Sequence, residues 1–252
     1  MEEIRCGLLG EKLGHSWSPE IHAGLADYEY RLYEKREEEI PEFLRGGSWR
    51  GMNVTIPYKK TVVPFLDELT PVAAALGSVN TIVRRADGTL LGDNTDVYGF
   101  EEMIRYFGFP VSGQKTLVLG SGGASAAVRE ALRRLGAEPV ITVSRSGEDN
   151  YENLERHADA AFLVNTTPVG MYPKTDAAPV DLRRLPGLRG VIDIIYNPPE
   201  TRLMRQAREM GLPACNGLYM LVAQGWKAAE RFLGEPIPAE RAEIIYRELS
   251  KK

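Results

Sequence analysis

Short apolar runs alternate with amphipathic stretches along this 252-residue chain, and the pattern changes character near its middle. Residues 4–10 read as a buried strand, followed by a Gly/His/Ser loop and a helix opening at Ser18-Pro19. There the serine hydroxyl is placed to cap a free amide, and proline fits the first helical position. Strands are predicted over 30–34 and 52–56, the second running into Pro57, with a short helix over 41–45 between them. Thr70-Pro71 opens another capped helix, and residues 80–84 form a strand into the Asp87-Gly88 turn. From Lys115 a compact apolar strand, Thr116-Leu117-Val118-Leu119, ends in Gly120-Ser121-Gly122-Gly123 and gives way to a helical stretch over 124–135. Further strands follow at 140–143, 161–164 and 191–195. Strands spaced by helices predict an α/β chain whose second half carries a parallel, doubly wound sheet. Residues 218–233 and 239–249 are helical and are expected to pack back across the first domain.

Composition narrows the function classes. Apolar residues make up 43% and charged residues 26%, with a formal net charge of −4, so no basic field invites nucleic acid or an anionic membrane. The Glu37-Glu38-Glu39 run reads as a solvated face. Two distant cysteines, Cys6 and Cys215, fit a reducing cytosol better than a disulfide framework. The acidic start carries no signal-peptide pattern, and no apolar run approaches the ~20 residues of a membrane span. A soluble cytoplasmic protein is expected. His22 and His157 have no ligand partners at metal spacing, so no structural metal is expected.

A Gly-rich turn between a buried strand and a helix lets backbone amides approach a pyrophosphate, and the helix N-terminus favours its charge. Gly120-Ser121-Gly122-Gly123-Ala124-Ser125 stands in that context and reads as a dinucleotide loop, the plain alternative being a tight strand-to-helix turn. The next strand ends in Ser144-Arg145-Ser146, where a guanidinium and hydroxyls can hold a 2′-phosphate. Glu148 and Asp149 follow at once and would repel that phosphate if they faced it. NADP is favoured over NAD.

In the first half, His15-Ser16-Trp17-Ser18-Pro19 sets two hydroxyls beside a helix N-terminus, a seat for a carboxylate. Asn53-Val54-Thr55-Ile56-Pro57-Tyr58-Lys59 ends a strand in polar groups and a lysine; Asn80 follows Gly77-Ser78-Val79, and Asp96 closes Gly92-Asp93-Asn94-Thr95-Asp96 before a helix. Singly, Ser18 and Asp96 are explained as caps and Lys59 as a surface lysine.

Together, the runs HSWSPEIH, NVTIPYK, GSVNT, GDNTD, GSGGAS, NTTPVGM and NGLYMLVAQG resemble, in order and spacing, the shikimate dehydrogenase (shikimate/quinate dehydrogenase) family over essentially the whole chain. The resemblance implies three parts: a substrate-binding α/β domain over 1–98, a Rossmann-like NADP domain over 99–216, and C-terminal helices over 217–252 that return to the first domain. It implies a small-molecule substrate, with NADPH reducing 3-dehydroshikimate to shikimate on the way to aromatic amino acids, in a monomer or homodimer. Carried over by motif, Lys59 and Asp96 form the catalytic pair. Ser16 and Ser18 take the substrate carboxylate; Thr55, Asn80, Asp96 and Gln224 take its hydroxyls, with Tyr196 close by. Gly120, Ser121, Gly122, Gly123 and Ala124 cradle the pyrophosphate, Ser144, Arg145 and Ser146 take the 2′-phosphate, and Thr167, Ile194 and Gly217 flank the nicotinamide end.

Departures from the family pattern are also legible. The stretch from Arg145 to Asn165 is short, so one αβ unit is expected to be abbreviated. Val97-Tyr98 replaces a glycine after GDNTD, which puts Tyr98 either near Asp96 or into packing between the domains. One competing activity is an NAD-linked quinate/shikimate dehydrogenase, where quinate's extra hydroxyl would be read around Ser16, Ser18 and Tyr196. Another reading is a non-catalytic NADP-binding sensor on the same scaffold, which has no need to keep both Lys59 and Asp96. A folate-linked dehydrogenase of related shape has no evident use for the Ser16/Ser18 seat or for Gln224.

Overall fold

A computed structural model describes residues 4–14 and 16–252; the acidic start and His15, which opens the HSWSP run, lie outside the described residues. The chain divides into two compact units, Met1–Tyr98 with Val222–Lys252, and Gly99–Leu221.

The first unit contains β1 (Arg5–Gly10), α1 (Ser18–Leu25), β2 (Glu29–Glu34), α2 (Ile40–Arg45), β3 (Gly51–Val54), β4 (Glu68–Leu69), α3 (Pro71–Leu76), β5 (Thr81–Arg84) and β6 (Leu90–Asp93). Its six strands lie in the order β2-β1-β3-β5-β6-β4. β1 runs parallel to β2 and β3, whereas β3, β5 and β6 alternate in direction. In register, Asn53 faces Thr81 and Thr81 faces Asp93. The end of β3, the start of β5 and the end of β6 therefore share one rim of the sheet. β4 and β6 were not expected from the pattern: β4 is two residues long, and β6 is folded into the polar GDNTD run.

Helix α3 follows its local signals. Thr70 Oγ1 accepts from Ala73 N at 3.4 Å, Pro71 opens the helix, and Gly77 closes it in the left-handed region at φ 56°. Helix α1 departs from the expectation. Trp17 occupies the cap position without a side-chain cap, and Ser16 Oγ accepts from Ser18 N at 3.2 Å. Ser18 sits one residue inside the helix, so its hydroxyl is not spent on capping.

Behind α1, His22 is buried, stacked on Tyr30 at 4.0 Å between centroids, with Nδ1 2.5 Å from the Tyr28 hydroxyl. Burial holds its pKa down at about 3. The sign follows from linkage: the unfolded imidazole binds a proton below about 6.5 while the folded one does not, so stability falls with pH below that value. Relative to a His22→Gln variant, the native chain is expected to lose about 2 kcal/mol between pH 7 and pH 5. Urea denaturation of both at the two pH values checks this, and parallel losses would remove His22 as the cause.

The second unit begins inside α4 (Asp96–Phe107) and continues through β7 (Thr116–Leu119), α5 (Gly123–Arg134), β8 (Val140–Val143), β9 (Phe162–Asn165), β10 (Gly190–Asp193), α6 (Arg202–Glu209) and β11 (Ala214–Cys215). Its strands are all parallel, in the order β11-β10-β9-β7-β8. The order reverses between β7 and β9, and in open α/β sheets the crevice at the carboxyl ends of such strands is the ligand position. The expected alternation of strand and helix holds only in part. β8 joins β9, and β9 joins β10, through loops with single 3-10 turns at Leu154–His157 and Leu182–Arg184. Buried Leu154, Leu182, Leu185 and Leu188 cover the sheet where helices would lie.

Helices α7 (Leu218–Leu233) and α8 (Ala239–Leu249) end the chain. Residues from Val222, within the continuous helix α7, belong to the first unit. Within the first unit, Arg231 Nε lies 2.9 Å from Asp93 Oδ2, and Arg241 Nη1 donates to Leu25 O at 2.6 Å. Tyr98 packs edge-on to Trp226, with the Lys227 ammonium 4.9 Å above its ring. No described helix is long and apolar enough to cross a membrane.

Candidate functional site

The shared rim of the first sheet gathers residues that are far apart in the chain. Lys59 Nζ lies 2.6 Å from Asp96 Oδ2, across 37 positions of sequence. The lysine loop is held from below, since Val79 N donates to Lys59 O at 2.8 Å. The side chains are 26% and 13% exposed, so the pair is shielded but still open to a ligand. Asp96 is the first residue of α4, where the helix dipole favours its charge. Its amide donates to Asn94 Oδ1 at 3.2 Å, and Asn94 Nδ2 in turn donates to Ser78 O at 3.0 Å.

Asn80 orients the second carboxylate oxygen. Its Nδ2 donates to Asp96 Oδ1 at 2.9 Å and to Gln224 Oε1 at 3.3 Å. Its Oδ1 accepts from Thr95 N at 2.7 Å, Thr81 Oγ1 at 3.0 Å and Thr95 Oγ1 at 3.1 Å. Three donors on the oxygen leave the amide no reason to flip, so its two N–H groups are aimed at Asp96 and Gln224. Thr55 follows β3 with its amide on Leu9 O at 3.0 Å, and a Cβ on Gly10 would strike its methyl.

A second polar line runs under the site. The Tyr30 hydroxyl donates to Asn53 Oδ1 at 2.8 Å, and Asn53 Nδ2 reaches Thr81 Oγ1 at 3.3 Å and Asn80 O at 3.4 Å. Ser18, mostly buried, stands near the Tyr30 hydroxyl, whose pKa burial raises. Hydrogen bonds thus link Tyr30, Asn53, Asn80, Asp96 and Lys59 in one unit. Tyr30, Thr81, Asn94 and Thr95 are contributors that sequence reasoning passed over; the available signal was a polar residue amid apolar strand positions, as at Asn53.

In the second unit, Gly120 follows β7 at φ 104°, a backbone region that favours glycine, and a Cβ there would meet Thr166 Oγ1. Ser125 Oγ donates to Gly120 O at 2.7 Å, closing the turn. Gly122 caps α5 and Gly123 opens it; no atom lies within 4 Å of where either Cβ would stand. Ser121, Gly122 and Gly123 are exposed, and Ala124 is half-buried. The first turn of α5 is thus exposed and uncrowded, and its unpaired helix-start amides fit a pyrophosphate. Ser144, Arg145 and Ser146 follow β8, the neighbour of β7, in a turn closed by Ser144 N on Asp149 O at 3.1 Å. Arg145 and Ser146 are exposed. The Asp149 carboxylate is occupied by His157 Nε2 at 2.8 Å and faces Arg156 Nη1 at 3.8 Å. Thr167 donates its amide and hydroxyl to Asn165 Oδ1 at 3.0 and 2.7 Å. Ile194 N donates to Asn165 O at 3.1 Å, and Gly217 N to Ile195 O at 3.0 Å. Tyr196, half-buried, has its hydroxyl pKa raised by burial.

Comparison with known proteins gives consistent results. The family description "Shikimate dehydrogenase substrate binding domain" matches residues 8–82. A Clostridium perfringens protein named shikimate dehydrogenase (NADP(+)) is 39% identical, covering 96% of this chain and 97% of its own length. A Thermus thermophilus shikimate 5-dehydrogenase, solved with NADP(H) and shikimate, superposes with a TM-score of 0.88 at 32% identity, covering 97% and 99% of the two chains. A quinate dehydrogenase from Corynebacterium glutamicum, solved with NAD, does so at 0.87 and 27%, covering 98% and 99%.

Proposed function

The chain belongs to the shikimate dehydrogenase family, and on that premise we propose that it catalyses the reversible NADPH-dependent reduction of 3-dehydroshikimate to shikimate. The observation that carries this reading is the Lys59–Asp96 contact of 2.6 Å on a rim already lined by Asn80 and Gln224.

NADPH, when bound, supplies the hydride. Addition of hydride to a ketone leaves negative charge on its oxygen, and protonated Lys59 provides both a cation and a proton there. Asp96 accepts one lysine hydrogen and fixes the direction of the others; in the reverse reaction the lysine takes the hydroxyl proton back. Thr55, Asn80, Asp96 and Gln224 hold the substrate hydroxyls, Ser16 and Ser18 hold the carboxylate, and Tyr196 is a further candidate for substrate contact. Ser18 supports this role because its hydroxyl is not used to cap α1.

The second unit holds the cofactor in this reading. Gly120, Ser121, Gly122, Gly123 and Ala124 take the pyrophosphate, and Thr167, Ile194 and Gly217 line the nicotinamide end. Ser144, Arg145 and Ser146 take the 2′-phosphate. The acidic pair beside them is less of an obstacle than the sequence suggests, because Asp149 is engaged by His157.

Initial rates with shikimate and quinate, each with NADP and NAD, test the proposal. The shikimate–NADP combination is expected to be fastest. Faster turnover of quinate with NAD would reassign the enzyme to the related activity, and no turnover in any combination would remove the catalytic reading.

A further inference from the structure

Asp193, the last residue of β10, is fully buried, and no cation is paired with it among the described residues. Its carboxylate instead collects three donors. Oδ1 accepts from Asn165 Nδ2 at 3.0 Å and Ile195 N at 3.1 Å; Oδ2 accepts from the Thr201 hydroxyl at 2.7 Å. Burial pushes its pKa up to about 6, so the charge is an expense to the fold at neutral pH. A residue kept only for packing would not need to be ionised in such a place.

What the carboxylate organises explains the choice. Asn165 ends β9 directly opposite Asp193 in register, and the donation from its Nδ2 fixes which way its amide faces. The other end, Oδ1, then receives both the amide and the hydroxyl of Thr167. The Asn165 carbonyl holds Ile194 N, Asp193 itself holds Ile195 N, and the Ile195 carbonyl holds Gly217 N. Thr201, the cap of α6, receives Met204 N at 3.3 Å and pins the far end of the loop after β10. Three separate segments are set by one buried charge.

We propose that Asp193 is a positioning residue for the nicotinamide end of the cofactor site, acting through Asn165 on Thr167 and through the backbone of residues 194–195 on Gly217. This rests on the reading that the second unit binds NADP. It adds a distinction that reading lacks: Gly120 packs against Thr166 and Thr167, but no hydrogen bond of the Asp193 cluster reaches residues 120–124 or Arg145, so the two ends of the cofactor are held by separate sets of hydrogen bonds.

The test uses the full chain with two nucleotides, NADP+ and adenosine 2′,5′-bisphosphate, which keeps the 2′-phosphate and lacks the nicotinamide. Asp193→Asn leaves an acceptor for Asn165 but turns an N–H donor toward Thr201. Calorimetric titration is expected to show NADP+ binding weakened about tenfold, with the bisphosphate changed less than about twofold. The KM for NADPH should rise while the KM for shikimate stays put. Thr201→Val, which keeps the carboxylate and its bonds to Asn165 and Ile195, should give the same selective loss at about threefold, and decides the matter if the first variant folds poorly. Equal weakening of both nucleotides, or no change in either, overturns the assignment of Asp193. A native chain that binds neither nucleotide instead overturns the cofactor reading beneath it.

Discussion

Replacing Lys59 with methionine is expected to lower kcat by about 100-fold or more while leaving the KM for shikimate nearly unchanged. Methionine keeps an unbranched side chain of similar reach but removes the proton and the charge that the reacting oxygen needs. A 100-fold loss corresponds to about 2.7 kcal/mol of transition-state stabilisation, the scale of one general acid or one aimed donor. In the proposed function, substrate binding is left to groups the substitution does not touch: Ser16, Ser18, Thr55, Asn80 and Gln224. Asp96 loses its cation but keeps the Asn80 donor at 2.9 Å and its place at the start of α4, so the fold should survive. Steady-state kinetics with a melting curve on the same sample separates the two effects. An unimpaired kcat would take Lys59 out of the mechanism, whereas a collapsed melting temperature would move the effect from chemistry to folding.

Gly217→Ala is expected to do its damage in the second unit. The reason is contact rather than backbone angle, because an added Cβ would overlap the Ile194 carbonyl. Neither side can yield easily: Ile194 N is tied to Asn165 O and Gly217 N to Ile195 O. One methyl group forced against fixed backbone costs about 3 kcal/mol, which for a chain of this size lowers the melting temperature by roughly 6–12 °C. Under the proposed cofactor reading Ile194 and Gly217 flank the nicotinamide end, so the KM for NADPH is expected to rise about tenfold or more, in line with the same displacement. A variant with native melting and native KM would show that the close approach is slack and that Gly217 is not a constraint on the site.

Much of the local structure was legible because its signals span only a few residues. Thr70-Pro71 and Gly77 bracket α3 as their capping chemistry requires, and the turn from Leu119 through Gly123 announces a strand meeting a helix. Ser18-Pro19 misled in detail: the proline marked the helix start correctly, but Ser18 lies inside it and Trp17 takes the cap position. The two crossovers without α-helices could be foreseen only for the short stretch after Arg145. The one leading to β10 has length enough for a helix and uses buried leucines on a 3-10 turn instead.

The sequence by itself determined which chemical groups are available and roughly where most helices and the longer strands start, since caps, apolar periodicity and glycine-rich turns act over one or two helical turns of chain. Partners came from it only through the family resemblance, which paired Lys59 with Asp96. That Lys59 meets Asp96 at hydrogen-bond distance, that Asn80 aims at both Asp96 and Gln224, and that Asn165 donates to Asp193 follow from strand order and register. Register is fixed by how whole sheets bury their apolar faces, so a hydrogen bond between residues distant in sequence is a property of the packed unit, and no local pattern encodes it.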